Sequence, residues 1–478
     1  MSELALRKYL ERYAEPEAAW GRELHTQYAG AVVVPLHRED ESFLESLAPA
    51  IAAAPGRILV IAVVNATDDA PNATHEANAR LLRVLSERLV MPGRQELSAL
   101  AGSLARAVLG RPSPAFDLLL VDRASPGRRL PMGEGVGLAR RIGMDVALQL
   151  HQLDGITSRW LATTDADAYP PASYFQTLAA IQPFAADGTR RVGVTLPFWH
   201  TPSGNGAVDA ATARYELSLR YYTLGLAAAG SPYAYESMGS SIAVLPAAYA
   251  EVRGFPRRNA GEDFYLLDKL AKVGSLHRPE CEPIGLQSRY SDRVPFGTGK
   301  KVGEVVANGG VLSTYHPRVF ELLRVTLAAL RDAVVTANVD ELPSKLGQEL
   351  DSGTVGAISS ALEELQTFDA LQHTLDASPD ARVRERRLLT WFDALRTLRF
   401  IHLLEVTAAL PRLPVLDALA TSPFCGFYSA EMTENEGRNR AFSAEQAQPP
   451  DIGVESVIFG AVNGRGPRQT LNKKSVDP

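Results

Sequence analysis

Short apolar segments alternate with helix-like segments along the first part of the chain. The apolar segments cover residues 31–35, 58–65, 116–122, a run that ends at Asp167, and residues 191–198 and 240–246. Nearly continuous apolar runs of this length, separated by helical segments, are typical of parallel strands that are buried on both faces between helices. The pattern predicts an α/β fold with a Rossmann-like, mostly parallel central sheet. One additional helix is predicted between the second and third runs.

The hydrophobic period differs at the two ends of the chain. Residues 1–28 are assigned to an N-terminal helix, because residues 3–25 have the apolar spacing of an amphipathic helix. Residues 29–311 form the predicted α/β domain. Leucines recur at helical spacing beyond residue 312, which predicts an all-helical module over residues 312–425. Residues 426–478 are polar with few apolar anchors and are predicted to be a mobile tail.

Composition and charge exclude several classes of protein. The formal net charge is −6 over 478 residues, so the chain lacks the broad positive field that a dedicated nucleic-acid binder needs. Two cysteines allow neither a disulfide framework nor a cysteine-based zinc site. No stretch reaches the ~18 apolar residues of a spanning helix, and the N-terminus does not have the pattern of a secretion signal. These features predict a cytoplasmic protein without a transmembrane segment.

The strongest local motif is an acidic pair, Asp165 and Asp167, that follows the fourth apolar run and precedes two prolines. Ligands of open α/β sheets bind at the carboxyl ends of strands, where this pair is expected. Residues i and i+2 of a strand point to the same face, so both carboxylates could approach one Mg²⁺ or Mn²⁺ ion together with substrate phosphates. A helix N-cap in a surface turn would explain the same residues.

A second acidic pair, Glu262 and Asp263, begins an apolar-periodic helix. Carboxylates at a helix N-terminus are stabilised by the helix dipole, and that alone would account for them. The functional alternative is that one of the two serves as a general base for an acceptor hydroxyl.

A glycine-rich segment, residues 133–143, contains Arg140 and Arg141. Its glycines would permit close backbone approach to a ligand, and either arginine could offer a forked donor to phosphate. The glycine spacing does not match a dinucleotide-binding fingerprint.

Taken in chain order, these motifs resemble family-2-type glycosyltransferases with the GT-A fold, over roughly residues 30–293. The resemblance implies transfer of a sugar from a nucleotide-diphospho-sugar donor to an unidentified acceptor hydroxyl, with Mg²⁺ or Mn²⁺ and with inversion. Its implied site residues are Pro35, His37 and Glu39 around the nucleoside, Asn65 and Asp68 or Asp69 at the base, Arg140 and Asp165 at the donor, Asp165 and Asp167 at the metal, Gly239, Ser240 and Ser241 beside the acceptor, and Asp263 as base with Glu262 in support.

The chain departs from the processive members of that family. They carry the motif Q-x-x-R-W, whereas Gln287, Ser288, Arg289 and Tyr290 are one residue short and end in tyrosine. The resemblance therefore implies a non-processive enzyme. Three residues late in the predicted domain remain candidates for diphosphate or metal contact: Arg289, Arg293 and His277. Five tyrosines could form an acceptor platform or pack in the core: Tyr215, Tyr221, Tyr222, Tyr233 and Tyr235.

Two other functions stay open at this point. A haloacid-dehalogenase-type phosphatase also uses D-x-D, with an aspartyl nucleophile, although that motif is expected near the start of its fold. A non-catalytic nucleotide-sugar-binding scaffold is the other possibility, with the helical module acting through partners. The same module could support a homo-oligomer.

Overall fold

The computed structural model describes residues 2–89, 93–289 and 298–425, and the chain divides into two units. The first unit contains the chain up to Glu216 together with Ser237–Val311, and the second contains Leu217–Glu236 and the chain from Leu312 onward. Arg293 and the predicted tail over residues 426–478 lie outside the described residues.

The first unit is built on two sheets. Its strands are β1 (Gly30–Leu36), β2 (Ile58–Asn65), β3 (Gln95–Glu96), β4 (Arg106–Ser113), β5 (Phe116–Arg123), β6 (Leu161–Thr163), β7 (Ala168–Tyr169), β8 (Arg191–Thr195), β9 (Phe198–Thr201), β10 (Ile242–Val244), β11 (Ser275–His277) and β12 (Ile284–Gln287). The large sheet has the order β11-β8-β10-β6-β1-β2-β5-β4-β3, and the small one has the order β7-β12-β9.

The large sheet has a parallel centre. Strands β6, β1, β2 and β5 are parallel neighbours, and only β4 and β10 run opposite to the other strands described in this sheet. Every residue of β1 and β2 is buried, which explains their continuous apolar pattern. The predicted α/β fold with a mostly parallel central sheet is confirmed.

Nine helices of the described chain begin in the first unit: α1 (Ser2–Arg12), α2 (Phe43–Ala52), α3 (Asn72–Arg88), α4 (Val136–Gln152), α5 (Tyr174–Ala180), α6 (Gly206–Ala228), α7 (Pro246–Glu251), α8 (Glu262–Ala271) and α9 (Thr298–Ala307). The single helix predicted over residues 3–25 is instead α1 followed by a 3₁₀ helix, Pro16–Arg22. Pro16 lacks the N–H that a continuous helix requires. The helix predicted between β2 and β5 is α3, but strands β3 and β4 follow it and were not predicted.

The second unit is mainly helical. Besides the end of α6 it contains α10 (Arg318–Thr336), α11 (Leu342–Leu346), α12 (Ser352–Glu364), α13 (Thr367–Asp376), α14 (Ala381–Trp391), α15 (Ala394–Thr407), α16 (Val415–Thr421) and a short ladder of β13 (Ser313–Thr314) with β14 (Leu413–Pro414). The helical periodicity predicted after residue 312 is confirmed.

The core of the second unit explains that periodicity. Leu323 and Leu330 of α10 and Leu388 of α14 are buried together with Phe400 of α15. Tyr221 joins this core, with its ring centroid 5.6 Å from that of Phe320. None of the helices in the described part of the chain combines enough length and apolar character to cross a bilayer.

Candidate functional site

The residues proposed from the sequence gather at one edge of the large sheet. Because β1, β2 and β6 are parallel neighbours, their carboxyl ends meet at the same edge, where ligands of α/β sheets bind. Glu39 follows β1, Asp68 follows β2 and Asp165 follows β6.

Arg140, on α4, links the two acidic pairs at this edge. Its Nε donates to Glu262 Oε1 at 2.8 Å, its Nη1 donates to Thr163 Oγ1 at 2.6 Å, and its Nη2 donates to Asp165 Oδ1. Ser240 Oγ donates to the other Asp165 oxygen, Oδ2, at 2.5 Å. The side chain of Arg140 is only 2% exposed. Arg140, Glu262, Thr163, Asp165 and Ser240 are called the Arg140 cluster below.

Charge and burial oppose each other in this cluster. Burial alone lowers the pKa of the Arg140 guanidinium, but the carboxylates of Asp165 and Glu262 outweigh it and raise that pKa above its ordinary value. Arg140 therefore stays protonated and compensates the negative charge that Asp165 and Glu262 bring into a buried site.

Asp263 lies beside this cluster at the first turn of α8. Burial and the neighbouring Glu262 carboxylate raise the pKa of Asp263 to about 7, against the lowering effects of the Phe264 N–H and Arg140. The Phe264 N–H donates to Asp263 Oδ1 at 2.7 Å. A half-buried carboxylate with such a pKa can accept a proton near neutral pH, as a general base must.

Arg289, after β12, holds the second aspartate of the D-x-D motif. Its Nη2 lies 2.6 Å from Asp167 Oδ2 and donates to Glu39 Oε1 at 3.0 Å. The three side chains are each about a fifth exposed, at 25% for Arg289, 23% for Asp167 and 16% for Glu39. Arg289, Asp167 and Glu39 are called the Arg289 cluster. They connect the loop after β1 to the loop after β6.

The loop after β1 is braced by residues expected to contact the base. The Asn65 amide donates to the carbonyl oxygens of Leu36 and Val63 at 3.1 and 3.2 Å, and Asn65 is 2% exposed. His37 Nδ1 lies 3.0 Å from Asn65 O. Both amide hydrogens of Asn65 are thus used inside the protein, where they shape the loop, and its contact with the base stays a prediction. Asp68 stays at the surface, with its side chain 80% exposed.

Pro35 does not lie in the loop after β1, as was expected. It is a buried residue of β1, opposite Val63 of β2. Strand β6 pairs with β1 only at Val32 and Val33, so Pro35 lies beyond that pairing and its missing N–H costs no ladder hydrogen bond there. Pro35 therefore shapes the end of the strand, and its contact with a nucleoside stays a prediction.

The segment expected beside the acceptor faces the Arg140 cluster. Gly239–Ser241 is a buried 3₁₀ turn that precedes β10. A Cβ on Gly239 would lie 2.5 Å from Arg140 Nη2, and Ser241 Oγ donates to Met238 O at 3.0 Å. These residues contact Asp165, Arg140 and backbone, and their acceptor role stays a prediction.

Three glycines of the segment before and within α4, Gly135, Gly137 and Gly143, approach protein, whereas a Cβ on Gly133 would meet open space. A Cβ on Gly137 would lie 2.4 Å from Pro256 O, and one on Gly143 would lie 2.4 Å from Val33 Cγ1. Their spacing therefore reflects packing of α4 against the sheet and against the loop before α8. Of this segment, only Arg140 enters the cluster.

The oxygens of Asp165 and Asp167 have the chemistry that hard cations prefer. Among the described residues, no group of three or more His, Cys, Asp or Glu side chains is placed to hold a metal ion. A Mg²⁺ ion is commonly bound by one or two carboxylates with water and substrate phosphates. The two carboxylates therefore fit a cation that is shared with a phosphate ligand.

Sequence reasoning missed how these residues are connected. The Thr163 hydroxyl donates to Val33 O at 3.1 Å and accepts from Arg140. Thr164 Oγ1 donates to Ser240 O at 2.9 Å. Two consecutive threonines before an acidic motif are the signal that could have indicated a hydrogen-bonded strand end. His277 lies in β11 at the far edge of the large sheet, three strands from β6.

Comparison with known proteins gives little beyond the geometry. No family model matches the sequence, and no curated protein matches it. Among solved structures, the chain is similar to the mannosyltransferase PcManGT from Pyrobaculum calidifontis, solved in complex with GDP-Man and Mn²⁺. The identity is 12%, the match covers 83% of this chain and 99% of that chain, and the TM-score is 0.29. A likeness this low does not establish a shared fold.

Proposed function

We propose that the chain is a GT-A-type glycosyltransferase that moves a sugar from a nucleotide-diphospho-sugar to an acceptor hydroxyl. The observation that carries this proposal is the Arg140 guanidinium, which joins Asp165 of the first acidic motif to Glu262 of the second. Motifs 97 residues apart in the sequence therefore share one site, with a donor-side carboxylate and a base next to each other.

In this proposal Asp263 takes the proton of the acceptor hydroxyl as the hydroxyl attacks the anomeric carbon. Its raised pKa of about 7 suits a base that works near neutral pH, because proton transfer is most efficient when the pKa matches the working pH. Glu262 is fixed by Arg140 at 2.8 Å and keeps the neighbouring carboxylate in place. Attack from the side opposite the departing diphosphate gives inversion.

The donor's diphosphate is assigned to the Arg289 cluster. Arg289 is a forked donor of the kind that phosphate oxygens accept, and its present partners, Asp167 and Glu39, lie at the carboxyl edge of the sheet. Asp167, with Asp165, would hold a Mg²⁺ or Mn²⁺ ion shared with the diphosphate, and that ion would neutralise the charge that builds on the leaving group. Arg289 would exchange a carboxylate for the diphosphate when the donor binds.

The phosphatase alternative is disfavoured by the position of the motif. The D-x-D of that fold is expected near its start, whereas Asp165 follows β6. The scaffold alternative predicts donor binding without turnover.

The proposal is tested by a thermal-shift screen of nucleotide sugars with Mn²⁺ or Mg²⁺, followed by measurement of nucleoside diphosphate release. A ligand that binds only the folded protein stabilises it by about 2.7 kcal/mol when the ligand is present at 100 times its Kd. This stabilisation raises the melting temperature. We expect one donor class to stabilise the wild type and to lose most of its metal-dependent shift in Asp167→Ala. Tight binding without release of nucleoside diphosphate would support the scaffold, and equal shifts in both proteins would refute the metal site.

A further inference from the structure

The loop between α7 and α8, residues 252–261, leads directly into the Glu262–Asp263 pair. It has a constrained path, because Arg253 and Gly254 have φ angles of 62° and 65°. The left-handed region is costly for a residue with a side chain such as Arg253 and persists when the surroundings fix it. The contacts that fix this loop therefore help to determine the position of Asp263.

Lys269, about two turns into α8, reaches back to this loop. Its ammonium Nζ donates to Val252 O at 2.9 Å and to Gly254 O at 2.7 Å. Hydrogen bonds from a charged donor are stronger than neutral ones. The helix that carries Asp263 is thus tied to the loop that precedes it.

Arg141, on α4, donates to the two carbonyl oxygens of this loop that alternate with those bound by Lys269. Its Nη1 donates to Arg253 O at 3.0 Å and to Phe255 O at 2.9 Å. Arg141 and Lys269 together bind four consecutive carbonyl oxygens, those of residues 252–255. They are called the carbonyl clamp below. Backbone carbonyls that face inward need such donors.

The clamp links the loop to the helix of Arg140. Arg140 and Arg141 are consecutive in α4, and the first reaches Glu262 while the second reaches the loop. The Gly137 N–H also donates to Arg258 O at 2.9 Å. The spacing between the guanidinium of Arg140 and the acidic pair is therefore set by contacts on both sides of the loop.

Glu15, in the segment after α1, contacts Arg141 of the carbonyl clamp. Glu15 Oε1 lies 2.7 Å from Arg141 Nε. Both carboxylate oxygens of Glu15 accept from Arg257 Nη2, at 2.8 and 2.7 Å. Arg141 is thus oriented by a buried carboxylate at one end and by two carbonyls at the other.

We infer that Lys269 and Arg141 are positioning residues that fix the α7–α8 loop and thereby hold Asp263 beside Glu262 and Arg140. The inference rests on the proposed function for its catalytic consequence, because Asp263 is the proposed base. Neither residue of the clamp touches the reacting groups in this assignment.

The physical consequence concerns the environment of Asp263. Burial and Glu262 raise its pKa, so a loosened loop that admits water and separates the two carboxylates lowers that pKa. The charged and titratable groups around Asp263 are Glu262 on its own helix, Arg140 on α4, Asp165 after β6 and Tyr215 on α6. Those around Lys269 are Arg141, Asp268, Lys272 and Arg253. Among these groups and Lys269 itself, the described side-chain hydrogen bonds to the carbonyl oxygens of residues 252–255 come from Arg141 and Lys269.

The test compares Lys269→Met with Lys272→Met in the full chain. Lys272 is a matched control, since it lies in the same helical region and pairs with Asp268 at 2.8 Å. Lys269→Gln is the second variant, because its neutral amide can still donate to both carbonyls if the methionine variant does not fold. Carboxyl footprinting with mass spectrometry over a pH series measures the ionisation of Asp263 without requiring turnover. Transfer kinetics give kcat and KM.

We expect the footprinting midpoint of Asp263 to fall by about one pH unit in Lys269→Met, with a smaller fall in Lys269→Gln and none in Lys272→Met. We expect kcat to fall on the order of 10- to 100-fold in Lys269→Met, with the donor KM changed less than about twofold. A folded Lys269 variant with the wild-type midpoint and wild-type kcat would overturn the inference. Absence of turnover by the wild type with every donor would overturn the proposed function, while the footprinting midpoint would still decide whether the clamp positions Asp263.

Discussion

Two arginines of the first unit each bridge two carboxylates, yet they lie in different surroundings. Arg140 joins Asp165 to Glu262, and its side chain is 2% exposed. Arg289 joins Asp167 to Glu39, and its side chain is 25% exposed. The number of carboxylate partners is the same, so burial is the main difference between the two clusters.

Burial decides what each cluster can do. The buried Arg140 also donates to Thr163, and leaving its partners would expose uncompensated charge to a low-dielectric interior. It is suited to fix geometry. The half-buried Arg289 can exchange a carboxylate for a phosphate at modest cost, because water screens and solvates both. It is suited to bind and release a charged donor.

The largest difference is expected when the same substitution is made in both clusters. Arg140→Met should lower the free energy of unfolding by about 3–5 kcal/mol, because it leaves the buried Glu262 carboxylate, 6% exposed, without its charged partner. Arg289→Met should lower it by less than about 1 kcal/mol. Urea denaturation of the two variants measures both values. Equal losses would show that the two clusters do not differ in their structural role.

The next largest effect concerns the proposed base beside the buried cluster. Asp263→Asn should lower the transfer rate roughly 10²–10⁴-fold, since the amide cannot accept the acceptor proton. Donor binding, which is assigned to the Arg289 cluster, should change little. Single-turnover kinetics measure the transfer rate, and isothermal titration measures binding of the donor. Near-normal transfer by this variant would remove Asp263 from the mechanism.

The pH dependence follows from the raised pKa of Asp263. A base works in its ionised form, and burial with Glu262 raises the pKa of Asp263 to about 7, so protonation below pH 7 removes the active form. We expect the wild-type rate to fall about tenfold per pH unit below that value. An ordinary exposed aspartate would keep the rate flat down to about pH 4. A flat profile between pH 5 and 7 would contradict the assignment.

The smallest effect is expected at the Arg289 cluster. Arg289→Gln should weaken binding of the nucleoside diphosphate about tenfold, because one charge-assisted hydrogen bond contributes roughly 1.5–3 kcal/mol before solvent screening reduces it. The effect should shrink at high salt. Titration calorimetry at two ionic strengths measures both changes, with Arg129→Gln as a control at the exposed Asp68 pair. A tighter complex in Arg289→Gln would assign the diphosphate elsewhere.

The sequence alone determined the α/β character of the first unit and the helical character of the chain after residue 312. Both depend on local hydrophobic period, and the buried strands β1 and β2 and the buried leucines of α10 follow from it directly. It also identified Asp165, Asp167, Glu262 and Asp263 as the residues most suited to carry chemistry, because their types and positions at element ends are visible locally.

Only the tertiary structure decided how these residues are joined. Arg140 and Glu262 are 122 residues apart, and Arg289 and Glu39 are 250 apart, so no local pattern could pair them. The family resemblance placed Pro35 and Asn65 at the donor, whereas their burial depends on neighbouring strands and on contacts to the turn. Hydrophobic period is a property of consecutive residues, whereas charge compensation depends on which elements the fold brings within hydrogen-bonding distance.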